Sequence, residues 1–126
     1  MRLLLDSHAL LWFVAGDERR ISPTMRARIE EGAVVSTASL WEIAIKSALG
    51  KLEAPDDLPA RVEQLGFELL VVSAEHAWQV RALPAPRHAD PFDRLLIAQA
   101  QVGRLPVVTA DPSFADYDVT VVWDRD

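Results

Sequence analysis

The sequence predicts an α/β fold, with a mostly parallel sheet of about five strands covered by helices on both faces. Three observations predict it. Short, wholly apolar segments such as Leu3-Leu4-Leu5 and Ala33-Val34-Val35 have the pattern of strands buried on both sides. Longer segments with a helical stripe alternate with them. Strands and helices in alternation imply right-handed crossovers, hence parallel neighbours.

Each element has its own local reason. Leu3–Leu5 is the opening strand. Ala9 to Val14 stays apolar until Gly16 and Asp17 stop it, which fits a short helix. Ser22-Pro23 is an N-cap followed by proline at the first helical position, and Met25 and Ile29 share the stripe that runs to Gly32. Ala33–Ser36 is the second strand. Ser39 opens the next helix, which Gly50 ends. Leu58–Leu65 is helical and closed by Gly66, Phe67–Val72 is strand-like, and Ala74–Leu83 is helical again. Pro84, Pro86 and Pro91 bracket a loop holding Arg87, His88 and Asp90. Phe92–Val102 is a strong helix with Gly103 just beyond it. Val107–Thr109 is a strand, Asp111-Pro112 a turn, and Val119–Trp123 the last strand. No repeat, low-complexity tract or long linker divides residues 1–126, which read as a single domain.

Composition narrows the function. At 126 residues, one core buries roughly two-thirds of the unfolded surface. The absence of cysteine excludes disulfides, thiolate nucleophiles and Cys-based metal sites. Lys and Arg number 13 against 19 Asp and Glu, and the resulting charge of −6 argues against a broad basic coat for nucleic acid. Met1 to Leu5 imitates the start of a signal peptide, but Asp6, Ser7 and His8 interrupt it. The longest apolar run, Ala9–Ala15, is far short of the ~18 residues of a membrane span. The expectation is a soluble, cytoplasmic protein without a membrane partner.

The acids are placed suggestively. Asp6 follows the first strand and Asp111 the Val107 strand; Glu42 lies early in the Ser39 helix, and Asp90 and Asp93 flank the start of the Phe92 helix. In an open α/β sheet the carboxyl ends of the strands form the ligand-binding rim. Each acid also has a structural role open to it. Ser39-Leu40-Trp41-Glu42 fits a capping box, Glu42 and Lys46 an i,i+4 pair, Asp90-Pro91 an N-cap, and Asp111-Pro112 a turn. Asp6 differs, because it ends a buried strand where charge is expensive. Carboxylates that converge repel by ~4 kcal/mol per pair at about 4 Å and an effective dielectric near 20. Convergence therefore calls for a cation or shared protons. With oxygen ligands alone, that cation is Mg²⁺ or Mn²⁺. Such a site suits phosphodiester hydrolysis.

The residues carry a resemblance. The blocks Leu3-Leu4-Leu5-Asp6-Ser7-His8-Ala9-Leu10-Leu11-Trp12 and Ser39-Leu40-Trp41-Glu42-Ile43-Ala44-Ile45-Lys46 resemble those of PIN-domain proteins. So do the run His88-Ala89-Asp90-Pro91-Phe92-Asp93-Arg94-Leu95-Leu96-Ile97-Ala98-Gln99-Ala100 and Val108-Thr109-Ala110-Asp111. Specifically, they resemble a VapC-type toxin of a bacterial type II toxin–antitoxin pair. The resemblance implies a three-layer α/β/α fold and a metal-dependent endoribonuclease. Its motif acids fall on Asp6, Glu42, Asp93 and Asp111 as catalytic and metal-binding residues, with Asp90 an added candidate and Asp116 a competitor for the fourth place. It also implies an RNA substrate, a VapB-type antitoxin folded over the groove, and a homodimer.

Around those acids, Ser7 and Thr109 have hydroxyls that either orient a carboxylate or cap a turn. Arg94 and Lys46 either steer phosphate or pair on the surface, and Arg19, Arg20 and Arg87 are further local cations. His88 reads as a solvated loop residue, His8 as a core histidine, and His76 carries no signal. Trp12, Trp41, Trp78 and Trp123 read as core or subunit contacts. A receiver domain would need a second acid beside Asp6, where Leu5 and Ser7 stand. A haloacid-dehalogenase-type phosphatase would need one at His8. A catalytically silent PIN scaffold that only binds a partner is the alternative from another class. The four motif acids account for −4 of the −6, so one divalent ion would leave −4 and two would leave −2.

Overall fold

The computed structural model describes residues 2–84 and 90–124. Arg87 and His88 lie outside the described residues. The elements follow the order β1 (Leu3–Leu5), α1 (Ser7–Ala15), α2 (Pro23–Glu31), β2 (Ala33–Ser36), α3 (Thr37–Ala48), α4 (Leu58–Gln64), β3 (Glu68–Leu70), α5 (Ala74–Gln79), α6 (Pro91–Gly103), β4 (Val107–Val108) and β5 (Val121–Val122). A 3-10 turn, Val80–Ala82, follows α5, and another, Pro112–Asp116, lies between β4 and β5.

All four strand pairings are parallel, in the order β3-β2-β1-β4-β5. The apolar opening strand is therefore central, and Leu3, Leu4 and Leu5 are all buried. Side chains alternate across it. Leu3, Leu5, Val35 and Val108 join Leu10, Phe13, Met25, Ile29, Ile43 and Val62 from α1–α4 in one core. Leu4, Val34 and Val107 join Leu96, Ile97 and Ala100 from α6 in the other. The α/β/α layering predicted from alternation is thus built from single strands that feed two cores.

Boundaries move for local reasons. α1 begins at Ser7, because the Asp6 carboxylate accepts a 2.8 Å bond from the Ala9 N–H and caps the helix. Gly16, at φ 66°, ends it in the left-handed region that glycine favours. α3 begins at Thr37, not Ser39. Ser36 is its cap, accepting from the Ala38 N–H at 3.0 Å, so the Ser39–Glu42 capping box does not form. α6 runs through Gly103, and Arg104 takes the left-handed position at φ 53°, which lets Leu105 reach the core while its N–H bonds Ala100. β3 and β5 are shorter than expected, and the Ala74–Leu83 helix breaks into α5 and its 3-10 turn.

Candidate active site

β1 is the point where the strand order reverses, since the chain leaves it for β2 on one side and β4 returns on the other. Ligands of open α/β sheets bind outside the carboxyl ends of the strands at such a point. Asp6 follows β1, Ser36 ends β2, and Thr109 follows β4. The Asp6 N–H reaches the Val108 carbonyl at 3.1 Å, tying two of these ends together.

Asp6 is buried, with 6% of its surface exposed. Burial pushes its carboxyl above the ordinary value, while the Thr109 hydroxyl, the Ala9 N–H and the charge of His8 pull it back down. The Asp111 charge raises it again. Thr109 does double duty, for its Oγ1 also accepts the Asp111 N–H at 3.0 Å. Asp111 starts the second 3-10 turn, and its Oδ1 accepts from the Ser113 N–H and hydroxyl at 2.9 and 2.8 Å.

Glu42 lies in the second turn of α3, and it too is only 6% exposed. Its Oε1 accepts a 2.5 Å bond from the Ser7 hydroxyl on α1, and its Oε2 takes a 2.6 Å bond from Lys46. The Glu42 bond holds the Lys46 ammonium above its ordinary pKa, and the charges of Asp90 and Asp93 add to it. Lys46 is therefore a half-buried cation paired with Glu42, rather than a solvated surface cation.

Asp90 caps α6, its Oδ1 accepting from the Phe92 and Asp93 N–H groups at 2.9 and 3.1 Å. One turn in, Asp93 is half-buried, and burial is the largest force pushing its carboxyl up to about 7. The charges of Asp90, Glu42, Asp111 and Asp6 follow, in that order. Asp93 thus feels Asp90, Glu42, Asp111 and Asp6 together. Asp111 and Asp116 are both exposed, and it is Asp111 whose charge acts on both Asp6 and Asp93, which favours it as the fourth acid.

The profile of the PIN domain matches residues 3–119. The chain belongs to the PIN-domain family. Solved structures agree on the PIN fold. VapBC2 from Rickettsia felis, bound to a promoter DNA fragment, superposes with a TM-score of 0.72 at 14% identity, over 98% of this chain and 100% of that one. A toxin–antitoxin complex from Klebsiella pneumoniae gives 0.65 at 19%, over 96% of each chain. FitAcB from Neisseria gonorrhoeae gives 0.66 at 23%, over 94% and 95%. No curated protein sequence matches this PIN domain.

The donor set of this PIN domain is all oxygen and strongly negative, which suits a hard divalent cation. Among the described residues, no three acidic or histidine side chains stand close enough together to hold one. Glu42 is turned to Ser7 and Lys46, Asp6 to Ala9 and Thr109, and Asp111 to Ser113. The residues fit the ion in kind, and each is held by its own helix or turn rather than gathered into a formed site.

Other expectations are corrected by the structure. His8 is exposed, not in the core. Trp41 and Trp78 are 61% and 68% exposed, which removes the core alternative for them and leaves the subunit-contact one. Arg94 bonds the Pro84 carbonyl and the Tyr117 hydroxyl, a structural use of its guanidinium. Two buried polar residues were not foreseen. Ser36 donates a 2.5 Å bond to Gln99 Oε1, which pins α6 to the end of β2, and His76 lies 3.4 Å from the Gln99 amide nitrogen. The sequence signal was Gln99 itself, a polar residue inside the apolar run Leu95 to Ala100.

Proposed function

We propose that this PIN domain is a metal-dependent endoribonuclease, the toxin of a VapBC-type pair, which hydrolyses RNA phosphodiester bonds. The observation that carries the reading is the gathering of acids at the carboxyl ends of β1 and β4, where Ser7 beside Asp6 bonds Glu42, Thr109 bonds the Asp111 backbone, and the charges of Asp90, Glu42, Asp111 and Asp6 help push the Asp93 carboxyl up to about 7. Four like charges around one half-buried acid are unfavourable in a protein that binds no cation there, and Lys46 offsets only part of them. Membership of the PIN family supports a nuclease, and the VapBC and toxin–antitoxin assemblies that share the fold support an antitoxin partner.

Asp6, Glu42, Asp93 and Asp111 would hold Mg²⁺ or Mn²⁺. The ion would neutralise the scissile phosphate and lower the pKa of a bound water. The protein's part is positional. Thr109 and the Ala9 N–H fix the Asp6 carboxylate, and Ser7 fixes Glu42. Lys46, beside Glu42, would be the cation available to a phosphate oxygen of the substrate. A cognate VapB-type antitoxin would silence the site, and a homodimer is part of the proposal. No helix among the described residues is long and apolar enough to cross a membrane.

Induced expression in bacteria, followed by mapping of new RNA 5′ ends in total RNA, tests the reading. Discrete cleavage sites and growth arrest that vanish in Asp93→Asn are expected. An unchanged RNA population and normal growth would favour a silent PIN scaffold.

A further inference from the structure

The first helix carries an aromatic and cationic strip that leads away from Asp6 and has no part in the chemistry above. His8 is exposed on the first turn of α1, and its ring centre lies 5.7 Å from that of Trp12, one turn further on. The Arg20 guanidinium stands 5.3 Å from the centre of the Trp12 ring. Trp12 is half-buried and leans on Trp123, with ring centres 5.9 Å apart, so its position is fixed from behind. Arg20 keeps one nitrogen 3.2 Å from Asp17, yet its side chain remains 60% exposed, and Arg19 is exposed beside it.

Core packing accounts for Trp12, which lies against the first core with Trp123, but not for His8 and Arg20, which are exposed. The buried side of α1 is Ser7, Ala9, Leu10 and Phe13, and His8 lies outside it. The strip begins beside the acidic site, because His8 lies in the first turn of the helix that Asp6 caps.

We propose that His8, Trp12 and Arg20 form a track for single-stranded RNA, with a nucleobase against the His8 and Trp12 rings and a phosphate on Arg20. The proposal rests on the nuclease reading and says where the substrate lies relative to it. Exposed rings interleaved with cations are the usual means of holding single strands, since every base has a face to stack and every nucleotide a phosphate to pair. A base inside a duplex has neither face free, so the track selects unpaired RNA. It also supplies attraction locally in a chain whose net charge of −6 gives none overall.

The test is fluorescence anisotropy with a labelled single-stranded oligoribonucleotide in Mg²⁺, using the full chain in an Asp93→Asn background to suppress cleavage. His8→Ala and Arg20→Ala should each weaken binding about tenfold, whereas His8→Phe, which keeps a ring, should bind nearly as the parent does. Both residues are exposed, so melting temperatures should not move. In the cleaving protein the same two changes should raise KM and leave kcat in place. RNA binding by the parent that neither alanine variant weakens would overturn the track, leave the nuclease reading intact and make the strip a protein contact. Binding that the variants do weaken, in a protein that cleaves no RNA, would support the track and contradict the nuclease reading. A chain that neither binds nor cleaves RNA would overturn both.

Discussion

The Ser7 hydroxyl donates a 2.5 Å hydrogen bond to Glu42 Oε1 and so joins the start of α1 to the second turn of α3. Both residues are buried, and they come from positions 35 apart in the chain. Because Asp6 caps the helix that Ser7 begins, the bond also sets Glu42 relative to Asp6.

Ser7→Ala should therefore do two things. Glu42 would lose one partner while staying buried, which costs about 1–3 kcal/mol of stability. A carboxylate freed from its orienting hydroxyl should also lower metal affinity or activity by about 10–100-fold. Thermal melting with and without Mg²⁺, together with RNA cleavage rates, reads both. A variant with wild-type activity would show that the bond is structural only.

Asp93 gives a pH signature. Its folded pKa of about 7 lies above the ordinary 3.8, so the folded chain holds this proton more tightly than the unfolded one. Stability from this group is present below about pH 4 and falls as pH rises toward 7. Asp93→Asn should therefore melt above the wild type at pH 8 without metal, and together with it near pH 4. Since Asp93 is only half-buried, solvent screening limits the gain to about 1–2 kcal/mol. Mg²⁺ should erase the advantage at pH 8, and near pH 6.5 its binding should release a proton detectable by calorimetry in buffers of different ionisation enthalpy.

Lys46 sits 2.6 Å from Glu42 and feels Asp90 and Asp93 as well. Replacing it with methionine removes the cation that offsets these acids in the metal-free protein. The loss without metal should be modest, below about 1 kcal/mol, as for other partly exposed i,i+4 pairs. The rise in melting temperature on adding Mg²⁺ should be larger in Lys46→Met than in the wild type. A smaller rise would show that Lys46 supports the bound ion rather than standing in for it.

Ser36 and Gln99 are both fully buried, and their 2.5 Å bond fixes α6 against the end of β2. Ser36→Ala strands the Gln99 carbonyl and removes the cap of α3 at once. A loss of about 2–4 kcal/mol is expected from the two effects together. Denaturant unfolding measures it. Gln99→Leu, which removes the stranded group and keeps the cap, should cost less.

What could be read from the sequence was what neighbouring residues decide. Leu3 to Leu5 is apolar at every position, so a strand buried on both faces follows, and Asp6 after it falls at the strand's carboxyl end. Asp90-Pro91 announced the start of α6 in the same way. The misreadings involve contacts across the fold. Ser39 and Glu42 have capping-box spacing, but Ser36, one turn earlier and bonded to Gln99 63 residues away, caps the helix instead. His8 lies on an apolar helix, yet its position on α1 leaves it exposed; a helix so short has too few turns for its sequence to show which face is buried. That the acids share one rim required the β3-β2-β1-β4-β5 order, which no local pattern encodes.

The central claim is that Asp6, Glu42, Asp93 and Asp111 gather a divalent ion to cut RNA. Purified, partner-free protein should be incubated with single-stranded RNA in Mg²⁺ or Mn²⁺, with and without chelator, beside Asp6→Asn and Asp93→Asn. Asparagine still caps α1 at position 6, so both variants should fold. The expected result is cleavage by the wild type alone, abolished by the chelator and restored by added metal. Cleavage that survives the chelator, or that the two variants perform as well as the wild type, would contradict the account.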